Sequence, residues 1–174
     1  MAVEIRQVQD KSELKRFVQF GNELYKKNPY HVPVLIDDEL GTLDKDRNPA
    51  FEFCEAAYFL AYRNGRIVGR IAGIINHRAN ETWNQSNARF GFLDFINDNA
   101  VVDALFEVVE NWARSKGMEM LQGPMGFTDM DKEGMLIEGF DQLGTMSTIY
   151  NYAYYPKQLE RLGFIKDQDW KEFK

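Results

Sequence analysis

A chain of 174 residues, 44% hydrophobic and 14% aromatic, is the size of one domain and can bury a real core. Its 27 acidic and 21 basic residues leave a net charge of -6, which repels phosphate backbones and anionic membrane surfaces and argues against both as partners. The single cysteine, Cys54, cannot form an internal disulfide. No apolar run nears the ~20 residues that cross a bilayer, and Met-Ala-Val-Glu-Ile-Arg is not a secretory leader, so a cytoplasmic location is expected.

Val3, Ile5 and Val8 alternate with polar residues and predict a first strand. Asp10-Lys-Ser-Glu-Leu then has the form of a helix cap, and Leu14, Phe17, Val18, Gly21, Leu24 and Tyr25 recur at helical spacing until Asn28-Pro29. Pro33 to Leu43 predicts a shorter helix with Leu35, Ile36, Leu40 and Leu43 on its apolar side. The strongest local signal is a hairpin, Tyr58 to Tyr62 and Ile67 to Ile75 around Asn64-Gly65, because Asn-Gly supplies the positive φ angles of a tight turn. Asn76 to Ala88 is polar, apart from Trp83, and is expected to be an exposed connection.

Arg89 to Phe95 reads as a strand, with Phe90, Phe92 and Asp94 on one face and Leu93 and Phe95 on the other. Asn97, Asp98 or Asn99 can cap the longest helix, whose stripe of Val101, Val102, Leu105, Val108, Val109 and Trp112 ends at Lys116-Gly117. Met118 to Gln122 is a short strand. Met125 to Thr148 has no clear periodicity and reads as a loop-rich excursion; Tyr155 to Leu162 is a helix, and Phe164-Ile165 opens a last strand towards the terminus. There is no internal repeat and no interior linker, so residues 1–174 form a single domain.

This order of elements resembles that of the GNAT superfamily of acyl-CoA N-acyltransferases. Ile67-Val68-Gly69-Arg70-Ile71-Ala72-Gly73 is similar to the family's third strand, Ala104 to Gly117 to the helix after its fourth, and Leu159-Glu160-Arg161-Leu162-Gly163-Phe164 to its late helix-to-strand junction. Gly123-Pro124-Met125, Glu138-Gly139-Phe140-Asp141 and Tyr154-Tyr155-Pro156 further resemble a bacterial branch in which such a domain leads into another. The resemblance implies an α/β (α+β) domain: a central mixed, mostly antiparallel sheet flanked by helices. It also implies acetyl-CoA or another acyl-CoA as cosubstrate, lying between the fourth and fifth strands, and an amine that attacks the thioester directly without a metal. Rate then comes from positioning, a base for the ammonium proton, and a backbone N–H aimed at the developing oxyanion. The pyrophosphate is expected at the N-terminus of the long helix.

On this pattern Asp94 is the candidate base and Tyr155, beside Tyr154, the candidate acid for the leaving thiolate, while Asn97, Asn99, Ala100 and Val101 are the candidate phosphate cradle. Each has a plainer reading: a strand-end carboxylate, tyrosines packed at a helix start, and ordinary capping. The sequence also departs from the family. Ala100 and Val102 stand at its glycine positions, Asp98 and Asp103 put negative charge where the pyrophosphate belongs, and Leu159 stands where many members carry a tyrosine. At 4 Å a charge pair interacts by about 4 kcal/mol at an effective dielectric of 20, so a partly buried acid there is a serious handicap.

Other motifs are weaker. Asp129-x-Asp131-x-Glu133-Gly134 lacks the bidentate acid of a calcium loop, since Phe140 takes that place. His31 and His77 lie on different elements without metal-ligand spacing. Two functions follow: acyl transfer from acyl-CoA to an amine, or a catalytically degenerate GNAT-like domain that pairs with a second domain or a symmetric copy. Fold alone does not decide between them.

Overall fold

A computed structural model describes residues 2–144 and 148–171. Its centre is one five-stranded sheet in sequence order: β1 (Glu4–Gln7), β2 (Cys54–Arg63), β3 (Arg66–Asn76), β4 (Asn87–Phe95) and β5 (Met120–Gln122). The first four strands are antiparallel neighbours and β5 runs parallel to β4, so the sheet is mixed and mostly antiparallel, as expected. The helices are α1 (Lys11–Leu24), α2 (Ile36–Leu43), α3 (His77–Trp83), α4 (Asn99–Ser115) and α5 (Tyr154–Arg161), with a 3-10 turn at Pro49–Glu52.

The two faces of the sheet follow from side-chain alternation. On β2, Tyr58, Leu60 and Tyr62 join Leu14, Phe17 and Val18 of α1 in one cluster, while Phe59 and Ala61 join Val101, Leu105, Phe106 and Val109 of α4 in the other. The hairpin forms where Asn64 and Gly65 adopt the predicted positive φ, 53° and 73°. Asp10 caps α1 through the Glu13 N–H, and Glu13 accepts in return from the Gln9 N–H, so two otherwise unpaired helix-end donors are satisfied.

Three expectations are corrected. Asn76 to Ala88 contains helix α3, because the Asn76 side chain accepts from the Ala79 N–H and caps it, and Asn84 closes it in a left-handed conformation. Phe164-Ile165 forms no strand among the described residues; Phe164 packs its ring on Phe90 and Phe106. The end of that expected strand, 172–174, lies outside the described residues, as do 145–147 of the excursion.

The third correction shapes the site. Phe90 and Phe92 do not share a face: Phe90 belongs to the α4 side and Phe92 to the α1 side. A bulge intervenes, with Ala72 opposite Gly91 and Arg70 opposite Asp94, so Phe92 and Leu93 together face Ile71, and Phe92 has a φ of 46°. The extra residue leaves Asp94 on the α1 side and Phe95 on the α4 side.

Beyond Gln122 the fifth strand leaves β4. Pairing ends at Arg89 with Gln122, and the last contact along the edge is the Met125 N–H to the Phe90 carbonyl, 2.8 Å. A Cβ on Gly91 would overlap the Met125 carbonyl, so this crossing requires glycine there. Gly91→Ala should therefore lower stability by about 1–3 kcal/mol, as overpacking does, read from urea unfolding; an unchanged midpoint would show that the crossing relaxes freely.

Candidate functional site

Past the bulge, β4 has no partner strand on its outer edge among the described residues, and the start of α5 lies against it instead. The Phe95 N–H donates to the Tyr155 hydroxyl at 3.0 Å, and the Phe95 carbonyl accepts from the Tyr154 hydroxyl at 2.6 Å. Tyr155 is fully packed, its ring stacked on Phe95 with centroids 4.1 Å apart. From the other side of the sheet Tyr25, at the end of α1, brings its hydroxyl to 2.8 Å from that of Tyr155. The two phenols meet in the opening between β4 and β5.

Asp94 sits beneath them, 7% exposed. Its Oδ1 accepts from Tyr25 at 2.9 Å and from Tyr155 at 3.3 Å, and its Oδ2 accepts from Arg70 Nε at 2.7 Å. Two phenolic protons thus serve three oxygen–oxygen contacts, with the Phe95 N–H as a further donor to Tyr155. Arg70 is equally enclosed. Its Nη1 reaches Glu39 on α2 at 2.7 Å and the Phe17 carbonyl on α1 at 3.0 Å, and α1 can lie this close because Gly21 has no Cβ to meet the guanidinium. Burial works against the Arg70 charge, but Asp94 and Glu39 outweigh it and hold the guanidinium protonated. Burial first, then the Asp94 charge, pushes both Tyr25 and Tyr155 far above the ordinary phenol range, so both are fixed as proton donors.

At the start of α4, where a phosphate cradle was expected, the first backbone amides already have a partner. Asp98 caps α4, its Oδ1 accepting from the N–H of Ala100 at 3.0 Å and of Val101 at 3.4 Å, and Arg63 grips the same carboxylate through two nitrogens. The Arg63 hydrogen bond, with help from the two amides, lowers the Asp98 pKa. Asn97 and Asn99 are drawn together by Gln158 of α5, whose amide nitrogen donates to both, at 3.1 and 2.9 Å. Asn97 and Gln158 border a surface depression of about 620 Å³ at the start of α5, where Lys157 and Arg161 add positive charge. Arg161 is already paired with Asp103.

The structure therefore brings Asp94 and Tyr155 into contact and places Asn97, Asn99, Ala100 and Val101 at the neighbouring mouth. Sequence reasoning missed Tyr25, Arg70, Glu39 and His31. Arg70 within the apolar run Ile67 to Ile75 was the available signal, since a charge at an inward strand position demands a buried partner. His31 stacks on Tyr25, centroids 4.5 Å apart, at the surface end of the same cluster. Among the described residues no group of three or more His, Cys, Asp or Glu is placed to hold a metal, and no helix is long and apolar enough to cross a membrane.

A mixed sheet that opens after its fourth strand, with a helix starting at the mouth, defines the class: the chain has the fold of the GNAT acyltransferases. It superposes on a predicted acetyltransferase with acetyl-CoA from Clostridium acetobutylicum with a TM-score of 0.58 at 12% identity, over 99% of this chain and 96% of that one. It matches a tandem GNAT protein from the clavulanic acid biosynthesis pathway with a TM-score of 0.60 at 14% identity, over 92% of this chain but 43% of the other. Among curated sequences it is 31% identical to Protein YghO of Escherichia coli (strain K12) over 165 residues and 31% identical to Bacterial ceramide synthase of Caulobacter vibrioides (strain NA1000 / CB15N) over 168. These alignments take in 95% and 96% of this chain and 42% and 44% of the relatives, so it spans less than half their length. No family model matches the chain.

Asp94→Ala leaves Arg70 with Glu39 as its one carboxylate and removes the acceptor shared by two buried hydroxyls, which keep only each other and the Phe95 N–H. We expect a loss of about 3–5 kcal/mol, the range for breaking a buried ion pair, measured by denaturant unfolding. Replacing Asp94 and Arg70 together with leucine and methionine should cost less than Asp94→Ala alone. A double variant as unstable as the sum of its singles would show that the two side chains act independently.

Proposed function

We propose that the protein is an N-acyltransferase that moves an acyl group from acyl-CoA to a primary amine, and that the amine is a long-chain amino alcohol of the kind a ceramide synthase acylates. The observation that carries this reading is the unpaired end of β4, where one backbone N–H, that of Phe95, lies 3.0 Å from a tyrosine hydroxyl. A thioester carbonyl accepting from that N–H would develop its negative charge against a fixed donor, and Tyr155 would stand next to the departing sulfur. The depression bordered by Asn97, Gln158, Lys157 and Arg161 lies where the anionic end of CoA would enter. The relationship to the ceramide synthase supports the amine class. Acetyl-CoA is the donor to test first, with longer acyl-CoAs beside it.

Tyr155 itself holds the Phe95 N–H and Asp98 holds the first α4 amides. Donor binding thus requires Tyr155 to yield that hydrogen bond and Asp98 to turn towards Arg63 alone. Those same contacts favour a second reading, a silent GNAT-fold module paired with an active one, which the 43% match to a tandem protein also suits. A bacterial, cytoplasmic setting and a second domain or homodimeric partner fit either reading.

Thermal unfolding with CoA and acetyl-CoA separates the two. Ligand at 100 times its dissociation constant adds about 2.7 kcal/mol, so an acyl-CoA user should show a clear rise in Tm. The full-length protein should form the amide of a long-chain amino alcohol, by mass spectrometry, and Tyr155→Phe should slow it by roughly 10²–10⁴-fold if the hydroxyl is the acid. Product formation without any CoA-induced shift in this chain would assign the chain to the silent role.

A further inference from the structure

The amine acylation proposed above needs a group that takes the ammonium proton, and Asp94 is poorly placed to do so. Both of its oxygens are engaged, one by Arg70 and one by two phenols, and its side chain is closed from solvent. Tyr25 and Tyr155 cannot serve, because both are held protonated. Glu39 is bound to Arg70. One titratable side chain at this cluster is left without a hydrogen bond to any described residue: His31.

We infer that His31 is the proton acceptor for the amine, working at the surface end of the Tyr25–Asp94–Tyr155 cluster. It lies on the connection between α1 and α2, its ring 23° from parallel with that of Tyr25 and edge-on to Tyr150 at 6.1 Å. Tyr25 carries the line of contact onward, since its hydroxyl touches both Asp94 and the phenol that holds the Phe95 N–H. Burial lowers the His31 pKa, Asp94 opposes that, and Lys132 and Arg70 reinforce it, so the ring is neutral at neutral pH and its nitrogen lone pair is available. Once charged, the imidazolium rests on the π face of Tyr25 and is favoured by the negative charge of Asp94 beyond it.

The proton and electron count closes without a further reagent. His31 removes one proton from R–NH₃⁺, and the freed lone pair forms the N–C bond to the thioester carbonyl. Collapse of the tetrahedral intermediate breaks the C–S bond, the electron pair leaves on sulfur, and the second nitrogen proton ends there to give the CoA thiol and the amide. The proton on His31 returns to solvent.

The test is the pH profile of kcat/KM for full-length protein acting on an acyl-CoA and a long-chain amino alcohol, since that ratio reports ionisations of the free enzyme. Wild type should lose activity as pH falls through an ionisation below the ordinary histidine value. His31→Gln should be slower by roughly 10²-fold or more at neutral pH, within the usual range for a general base, and should lack that limb. His31→Phe, which keeps the ring stack on Tyr25 and removes the nitrogens, should match it in rate while unfolding at the wild-type temperature. Either variant retaining wild-type turnover with the limb intact overturns the assignment of His31 alone. A wild-type protein that forms no amide with any acyl-CoA overturns it together with the proposed function.

Discussion

A guanidinium with almost no access to water sets the terms for this structure. Arg70 stands in the middle of the sheet, within the apolar run Ile67 to Ile75, and its charge can be kept there only by carboxylates brought to it. Asp94 comes from the next strand and Glu39 from α2. Two carbonyls of α1 complete the shell. One side chain thereby fixes where α1 and α2 lie on the sheet, and it anchors the Asp94 carboxylate towards which Tyr25 and Tyr155 point their hydroxyls. The electrostatic character of the opening between β4 and β5 is inherited from that pairing.

The opening itself is a consequence of one additional residue. Without the bulge at Phe92, strict alternation would place Asp94 on the α4 side, away from Arg70, and would leave the Phe95 N–H and carbonyl facing β3. With it, Phe95 presents both groups outward where no strand follows. A strand edge with unpaired polar groups in a packed interior is costly, and the start of α5 meets the need with two tyrosine hydroxyls, one accepting and one donating. The two tyrosines supply hydrogen bonding that this stretch of backbone requires. It is also the bonding pattern that an extended amide-containing ligand would reproduce.

Much of the framework was legible in the sequence for simple reasons. Asn64-Gly65 announces its turn, the stripe from Val101 to Trp112 keeps one period over about three turns, and the Asp10 cap is a local hydrogen bond, so each signal is complete within a short window. Helix α3 was hidden because its cap, Asn76, is the last residue of a strand and its sequence has no apolar stripe, with none of its residues buried. The bulge left no pattern at all. It sits beside Gly91, whose missing Cβ lets the Met125 backbone approach, a contact 34 positions away in the chain that periodicity cannot register. The same holds for the site: Asp94 and Tyr155 were found as separate candidates, but Tyr25, which joins them, looked like one more apolar residue of α1.

The competition at the two anion-facing positions has a common form. At α4 the helix-end amides are satisfied by Asp98, itself neutralised by Arg63; at β4 the edge amide is satisfied by Tyr155, itself held by Asp94 and Tyr25. Each internal ligand has a second partner on the far side, so releasing the backbone does not leave it unpaired. Asp98 can keep Arg63, and Tyr155 can keep Asp94 and Tyr25. Exchange of an internal oxygen for a ligand oxygen therefore costs less than the loss of a buried hydrogen bond, which is the condition under which a filled cleft can still be a working one.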